Sequence, residues 1–286
     1  MNGYSILINS CDAYSDLWYP FFRILEKTWP EAASLRIYLN TETESYADTF
    51  FNVTVLNCDT DPKNMTWGER LIRSLERIEE EYVLFMLEDF FFERPVLVKA
   101  IDDGYDCITH NKRIACVSLN SELECSNADY CKRNINRIYK GFIPKKQFAK
   151  YKISAGPALW NKKALIKWTS QRDSPWEWEF FGSLRTWTSR DLFYGRAYDY
   201  DPIFVYDVYH GGAVHRGKWV GYKVRELNDR YQLGIDMNKR GVVEDWRADQ
   251  KHSTVAPVSQ RLRSVIHNRW KMFTSYPQGF FLDLFK

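Results

Sequence analysis

The sequence predicts an α/β fold in which helices cover both faces of a doubly wound, mostly parallel sheet. Short apolar runs of strand length alternate with longer segments whose apolar residues recur at helical spacing. One run, Tyr-Val-Leu-Phe-Met-Leu at residues 82–87, is typical of a strand buried on both faces of a parallel sheet. With 286 residues, 45% of them hydrophobic, the chain can bury one large core without disulfides or metals.

The predicted elements alternate along the first two thirds of the chain. A strand at residues 5–9 ends in Ser10-Cys11-Asp12 and is followed by a helix at 17–28. The later elements are strands at 35–39, 53–56, 82–87, 114–119 and 154–160, and helices at 67–81, after Pro95 and at 162–168. Ligands of such sheets bind beyond the carboxyl ends of the strands, where Asp12, Glu88 and Asp89 fall.

Charge divides the chain unevenly. The net charge of +3 combines +7 over residues 213–286 with −4 over the first 212 residues. The pattern weakens from about Leu227 onward. We therefore place a boundary near residue 220, between a larger domain at residues 1–220 and a basic, partly helical extension at 221–286. Its helix candidate at 258–273 carries Arg261, Arg263, Arg269 and Lys271 beside aromatic residues. Such a helix either lies on an anionic membrane surface or docks on the larger domain.

Several function classes lack their signatures. There is no GxGxxG, GxxxxGK[ST] or GxSxG motif, so dinucleotide binding, P-loop hydrolysis and a nucleophile elbow are not indicated. We also expect no nucleic-acid partner. The six cysteines form no CxxC pair, which predicts reduced thiols. No leader and no long apolar run is visible. We therefore expect a cytoplasmic protein.

The pair Glu88-Asp89 ends an apolar strand and is followed by three phenylalanines. Adjacent carboxylates in apolar surroundings are costly unless a positive group accompanies them, and a divalent cation on a diphosphate would serve. The alternative is a helix cap or a surface turn.

A second cluster, Ser-Pro-Trp-Glu-Trp-Glu-Phe at residues 174–180, reads as the start of a helix. Glu177 or Glu179 could act as a general base, and Trp176 and Trp178 offer faces on which sugars stack. Alternatively, the acids stabilise the helix dipole and the aromatic residues belong to the core.

The third cluster spans residues 210–219. Its glycines let a ligand approach the backbone, and Arg216 and Lys218 could pair with phosphate oxygens. His215 is a weaker candidate for a metal ligand beside Asp89, since paired loop histidines are usually ordinary polar residues.

Together the motifs resemble a group of bacterial glycosyltransferases from capsule, lipopolysaccharide and exopolysaccharide clusters, which are GT-A-fold enzymes. The resemblance rests on residues 10–18, Pro20-Phe21-Phe22, Trp67-Gly68-Glu69-Arg70-Leu71, Leu87-Glu88-Asp89-Phe90 and Pro175-Trp176 with Glu179. It implies that Asp12 and Tyr14 lie beside the nucleotide base, that Arg70 contacts the nucleotide, and that Asp89 corresponds to the metal-binding acid of a DxD motif. Leu87 stands where that motif has its first aspartate. The Pro-Trp-x-x-Glu pattern favours Glu179 as the base.

The expected reaction is transfer of a sugar from a nucleoside diphosphate donor, a UDP-sugar being favoured, to a surface glycan or a lipid-linked acceptor, with inversion. Mn²⁺ or Mg²⁺ is expected on Asp89 and the donor diphosphate, with Glu88 close by. Peripheral contact with the inner face of the cell membrane is expected through the C-terminal segment. The alternatives are an inactive sugar- or nucleotide-binding module and a sugar nucleotidyltransferase.

Overall fold

A computed structural model of the chain describes residues 3–58, 65–120, 123–207, 212–244 and Trp270. Its helices are Trp18–Thr28 (α1), Trp67–Arg77 (α2), Val98–His110 (α3), Ala128–Arg133 (α4), Lys162–Trp168 (α5), Pro175–Arg185 (α6) and Gly221–Tyr231 (α7). Its strands are Tyr4–Asn9 (β1), Ile37–Asn40 (β2), Val53–Val55 (β3), Tyr82–Leu87 (β4), Ile114–Ser118 (β5), Phe142–Pro144 (β6), Ala158–Asn161 (β7), Leu192–Arg196 (β8), Val214–His215 (β9), Lys218–Val220 (β10) and Val242–Val243 (β11).

The main sheet has the strand order β3-β2-β1-β4-β7-β5-β8-β6. The neighbours from β3 to β4 are parallel, and so are β5 and β8, whereas β7 and β6 run antiparallel to their neighbours. Six of the eight strands in this described sheet therefore point the same way, which confirms the predicted mostly parallel α/β fold. The carboxyl ends of β1, β2 and β4 meet at one edge.

Alternation along the central strands fills a core on each face of the sheet. Ile6 and Ile8 of β1 pack in one core with residues of α1 and α3. Leu7 of β1 and Phe85 of β4 pack in the other, with residues of α2, α5 and α6. Successive side chains of a strand point to opposite faces, so an entirely apolar strand serves both layers of helices.

A smaller three-stranded sheet crosses the boundary predicted at residue 220. Strand β10 pairs antiparallel with β9 and parallel with β11, so that Trp219 lies opposite Val242. Val224 and Leu227 of α7 belong to the same core cluster as β1 and α1. Residues on both sides of position 220 are thus packed against the main sheet.

The helix candidate at residues 258–273 lies outside the described residues, except for Trp270. Within the described part of the chain, no helix combines the length and the apolar character needed to span a membrane. All six cysteines are described, and each is a free thiol.

Candidate active site

The acid pair Glu88 and Asp89 lies in the turn directly after β4. Glu88 is buried, whereas Asp89 is partly buried. Burial, reinforced by the Asp89 charge, raises the pKa of Glu88 well above its ordinary value, and burial raises the pKa of Asp89 to about 7. Strongly perturbed pKa values cluster at functional sites, and here two neighbouring carboxyls resist ionisation at a sheet edge. A bound cation would favour their charged forms.

The backbone of residues 212–213 holds Asp89 in position. The Asp89 carbonyl oxygen accepts a hydrogen bond from the Ala213 N–H at 2.7 Å. Gly212 has a φ of +133°, and a Cβ built on it would lie 2.6 Å from the Asp89 carbonyl oxygen and 2.8 Å from the carboxylate Oδ2. Only glycine fits such a contact. The structure therefore joins the third sequence cluster to the acid pair.

Arg240 is a site residue that the sequence did not single out. Its Nε donates to Asp16 Oδ2 at 2.8 Å, and its guanidinium lies 4.4 Å from the centre of the Tyr14 ring. Burial and the charges of Glu88 and Asp89 raise the pKa of Tyr14, whereas Arg240 opposes the rise. The positive charge of Arg240 also lowers the pKa of Glu88 and of Asp89, and so opposes the effect of burial on both acids.

Asp12 connects the loops that follow β1 and β2. Its carboxylate accepts hydrogen bonds from the Thr43 hydroxyl at 2.7 Å and from the backbone N–H groups of Glu42 at 3.0 Å, Thr43 at 3.0 Å and Glu44 at 3.2 Å. Burial alone would favour the neutral acid, but these hydrogen bonds outweigh it and hold the pKa of Asp12 below its ordinary value. Asp12 is therefore anionic and shapes the edge of the site.

Arg70 enters the site from the first turn of α2. Its buried guanidinium forms an ion pair with Glu42, which follows β2. Burial and the charges of Glu88 and Glu42 raise the pKa of Cys11 to about 11, whereas Arg70 opposes the rise. Glu42, Arg70, Cys11 and Glu88 therefore share one electrostatic environment. Glu42 was not predicted, although its position just after a strand end was a usable signal.

The two base candidates on α6 have different partners. Glu177 and Ser174 form a reciprocal capping box, in which Glu177 Oε2 accepts from the Ser174 N–H at 2.9 Å. Glu179 Oε1 accepts from the Ala155 N–H at 2.7 Å. Ala155 belongs to the loop that leads into β7, and β7 starts opposite the end of β4, where Ala158 pairs with Phe85. Glu179 thus contacts the same edge of the sheet that carries the acid pair.

The two tryptophans predicted to stack on a sugar differ in exposure. Trp176 is 78% exposed, whereas Trp178 is fully buried and donates its indole N–H to Thr169 at 3.0 Å. The Trp178 ring lies 5.4 Å from that of Trp67 and 5.6 Å from that of Phe85. A ring enclosed in this way presents no face to a ligand. The prediction for Trp178 is therefore corrected to a core role, and Trp176 alone remains a candidate.

The hairpin of β9 and β10 carries the remaining predicted residues. Arg216 and Lys218 are exposed at and beside its turn, and neither forms an ion pair with an acid of the described ranges. His215 lies opposite Lys218 in the hairpin. Because the strand begins next to Ala213, the hairpin extends from the point where Asp89 is held. Their contacts with a ligand stay predictions.

The acid pair suits a divalent cation that is shared with a ligand. Asp89 Oδ1 is buried and has no hydrogen-bond partner in the part of the chain that the structure describes. Across the residues that the structure describes, no group of three or more His, Cys, Asp and Glu side chains could hold an ion by itself. A hard cation on phosphate typically takes only one or two protein carboxylates. The residues therefore fit a cation that binds together with a nucleotide diphosphate.

This chain is similar to known proteins in its fold but not in its sequence. No protein-family model matches the chain, and no curated protein matches it. The mannosyltransferase PcManGT from Pyrobaculum calidifontis, in complex with GDP-Man and Mn²⁺, is 8% identical with a TM-score of 0.48, over 97% of this chain and 83% of that chain. The S. aureus protein TarS 1-349 is 10% identical with a TM-score of 0.42, over 68% of this chain and 60% of that chain.

A CMP:2-keto-3-deoxy-manno-octonic acid synthetase complexed with CTP is similar as well. It is 11% identical with a TM-score of 0.38, over 68% of this chain and 88% of that chain. A mannosyltransferase and a synthetase therefore both occur among the similar structures, and the TM-scores are too low to decide between these two reactions. The function has to be inferred from this chain's own residues.

Proposed function

We propose that this chain is a nucleotide-sugar-dependent glycosyltransferase of the cytoplasm, which transfers a sugar from a nucleoside diphosphate donor to a surface glycan or a lipid-linked acceptor. One observation carries the proposal. Asp89 has a buried oxygen that finds no hydrogen-bond partner among the described residues. It lies beside a second raised-pKa carboxyl, at the edge where β1, β2 and β4 end. A ligand that brings a diphosphate and its cation would complete this site.

The donor would lie along that edge. Asp12 and Tyr14 border the place proposed for the nucleotide base, with a UDP-sugar favoured, and Arg70 borders the place proposed for the rest of the nucleotide. Arg216 and Lys218 supply exposed positive charge for the phosphates. Mn²⁺ or Mg²⁺ held by Asp89, with Glu88 beside it and His215 as a further candidate ligand, would neutralise the leaving diphosphate.

The transfer itself would use Glu179. Its carboxylate takes the proton of an acceptor hydroxyl, whose oxygen forms a bond to the anomeric carbon of the sugar. The bond between that carbon and the diphosphate oxygen breaks, and its electron pair leaves with the diphosphate. Because attack and departure occur on opposite faces, the anomeric configuration inverts. The exposed ring of Trp176 would support the acceptor.

Donor binding tests the proposal directly. The full-length protein is titrated calorimetrically with UDP-, GDP- and dTDP-sugars, with Mn²⁺ or with EDTA, and slow donor hydrolysis is followed in parallel. We expect one nucleotide class to bind more tightly with Mn²⁺. Asp89→Asn should remove the metal effect, whereas the control Asp229→Asn, at an exposed site on α7, should keep it.

The possible outcomes separate the alternatives. Absence of binding and hydrolysis with every donor would contradict the proposal. Equal affinity in EDTA would assign charge neutralisation to Arg216 and Lys218 instead of a metal. Release of pyrophosphate from a nucleoside triphosphate and a free sugar or sugar phosphate would identify a nucleotidyltransferase.

A further inference from the structure

Four exposed aromatic side chains lie on α6, the helix that carries Glu179, and on the loop at residues 145–152. Trp176 is 78% exposed, Phe148 52%, Tyr151 44% and Phe180 38%. Single exposed aromatics are ordinary on a protein surface, but a contiguous group indicates an interaction surface. Phe148 and Tyr151 come from the loop at residues 145–152, and Trp176 and Phe180 come from the helix.

Two of these side chains pack on the same small apolar cluster, and a third lies next to one of them. Phe180 packs against Phe181 with ring centres 5.4 Å apart, and Phe148 packs edge-on against Trp187 at 5.7 Å. Phe181 and Trp187 form, together with Leu184, a small apolar cluster that is separate from the main core. Trp176 stands four residues before Phe180 and therefore lies beside it on the same face of the helix.

Hydrogen bonds fix the loop to α6 and to the segment that follows it. The Gln147 side chain donates to the Ser189 carbonyl oxygen at 2.9 Å and also to that of Trp187. The Trp187 indole N–H donates to the Ala149 carbonyl oxygen at 3.0 Å, and the Ile153 N–H donates to the Ser183 hydroxyl at 2.9 Å. The patch is therefore formed before any partner arrives, and binding would order little additional chain.

The same loop carries exposed positive charge. Residues 145–152 read Lys-Lys-Gln-Phe-Ala-Lys-Tyr-Lys, in which Lys145 and Lys152 are buried and Lys146 and Lys150 are exposed. Lys150 lies between Phe148 and Tyr151, and Arg172 is exposed just before α6. Aromatic rings that lie at the level of lipid headgroups, with basic side chains beside them, are characteristic of proteins that bind at the surface of an anionic membrane.

We propose that this aromatic and basic surface, made of residues 146–151, Trp176, Phe180 and Arg172, docks on an anionic lipid bilayer. The rings would enter the headgroup region, and the basic side chains would face the lipid phosphates. Docking through this face would turn the side of α6 that carries Glu179 towards the bilayer. The inference does not depend on the proposed transfer reaction, and it concerns a surface distinct from the segment at 258–273.

Vesicle flotation of the full-length protein tests the surface. Vesicles of phosphatidylcholine alone are compared with equimolar phosphatidylcholine and phosphatidylglycerol, at low and at high salt. We expect binding to the anionic vesicles that weakens with salt. Lys150→Glu changes the local charge by two and should lower the affinity about tenfold or more, and Phe148→Ala should lower it as well. The double variant should bind more weakly than either single one.

Matched controls lie elsewhere on the surface. Phe50, 43% exposed, is changed to Ala, and the exposed Lys112 is changed to Glu. Both controls should bind vesicles like the wild-type chain, and all variants should keep the wild-type affinity for UDP. The proposal is overturned when the wild-type chain stays unbound at low salt, or when the double variant floats as the wild-type chain does. Absence of binding with every nucleotide sugar would contradict the transferase alone, because the flotation result does not involve a donor.

Discussion

At the scale of single residues, Glu177 and Glu179 stand two positions apart on α6 but have different hydrogen-bond partners. Glu177 closes the capping box with Ser174, whereas Glu179 reaches across to the backbone of Ala155. We therefore expect Glu179→Gln to lower turnover about 10²–10⁴-fold, as loss of a general base does, without weakening donor binding. Single-turnover kinetics and donor calorimetry measure the two effects separately.

Glu177→Gln is the matched control, because glutamine also satisfies a capping box. It should keep near-native turnover. If only Glu177→Gln loses turnover, the base is the other member of the pair. Retention of the donor's anomeric configuration in the product would argue against a dedicated base altogether.

Asp89 makes the stability of the metal-free protein depend on pH. Its ordinary pKa of 3.8 is raised to about 7 in the folded state, so the folded state binds more protons than the unfolded state between these values. The stabilisation is complete below the ordinary pKa and is lost as the pH rises through about 7. Each pKa unit corresponds to about 1.4 kcal/mol.

Urea denaturation in EDTA measures this effect. Relative to Asp89→Asn, the wild-type chain should lose free energy of unfolding between about pH 5 and about pH 8, by a few kcal/mol. The control Asp229→Asn should follow the wild-type chain throughout. A difference between the wild-type chain and Asp89→Asn that does not vary with pH would show that the carboxyl is not perturbed.

The acids of the site were predictable from the sequence, whereas the nearby cation Arg240 was not. Glu88 and Asp89 follow an apolar strand, and such a position is visible in one short window of sequence. Arg240 lies in a stretch without periodicity and meets Asp16 and Tyr14 only because the chain folds back. Contacts between residues more than two hundred positions apart leave no local pattern.

At the scale of elements, the predicted bounds agree best with the structure where the apolar pattern is continuous. The strand predicted at residues 82–87 coincides with β4. The helix predicted at 67–81 ends at Arg77, because Ile78 already has extended backbone angles. The strand predicted at 154–160 begins only at Ala158 and runs antiparallel, a direction that hydrophobic periodicity does not encode.

The cap of α6 is expected to matter for both stability and kinetics. Ser174→Ala removes the side chain that accepts from the Glu177 N–H, which should lower the free energy of unfolding by about 1 kcal/mol. Because the loosened first turn carries Trp176 and adjoins Glu179, the KM for acceptor should rise while donor affinity stays constant. Urea denaturation and steady-state kinetics provide the two measurements.

Asn161→Ala is the matched control, since Asn161 caps α5 through the Ala164 N–H at 3.1 Å. It should cost similar stability but leave the acceptor KM unchanged. An equal rise in KM for both variants would mean that global stability, and not the start of α6, determines acceptor binding.

At the scale of the whole molecule, the strand order explains why the site lies where it does. Four parallel strands bring the loops after β1, β2 and β4 to one edge, and the reversed strand β7 brings the Ala155 loop and its partner Glu179 to that edge. The alternation of strands and helices was enough to predict the class of fold. It could not predict the small sheet, whose strands are two or three residues long.

The segment after residue 220 contributes buried side chains to the core of the larger domain. Val224, Leu227 and Leu233 are buried in the main core cluster, and each would contribute roughly 1.5–3 kcal/mol of burial free energy. Their sum is comparable to the total stability of a typical domain, about 5–15 kcal/mol.

A chain cut after residue 220 should therefore lose cooperative unfolding and expose the aromatic residues that residues 221–244 cover. A chain cut after residue 244 keeps these contacts and serves as the control. Thermal unfolding followed by circular dichroism, with dye binding to exposed apolar surface, compares the two. If the 1–220 chain melts as cooperatively as the 1–244 chain and at a similar temperature, the predicted boundary at residue 220 is a true domain limit and residues 221–244 are an appendage.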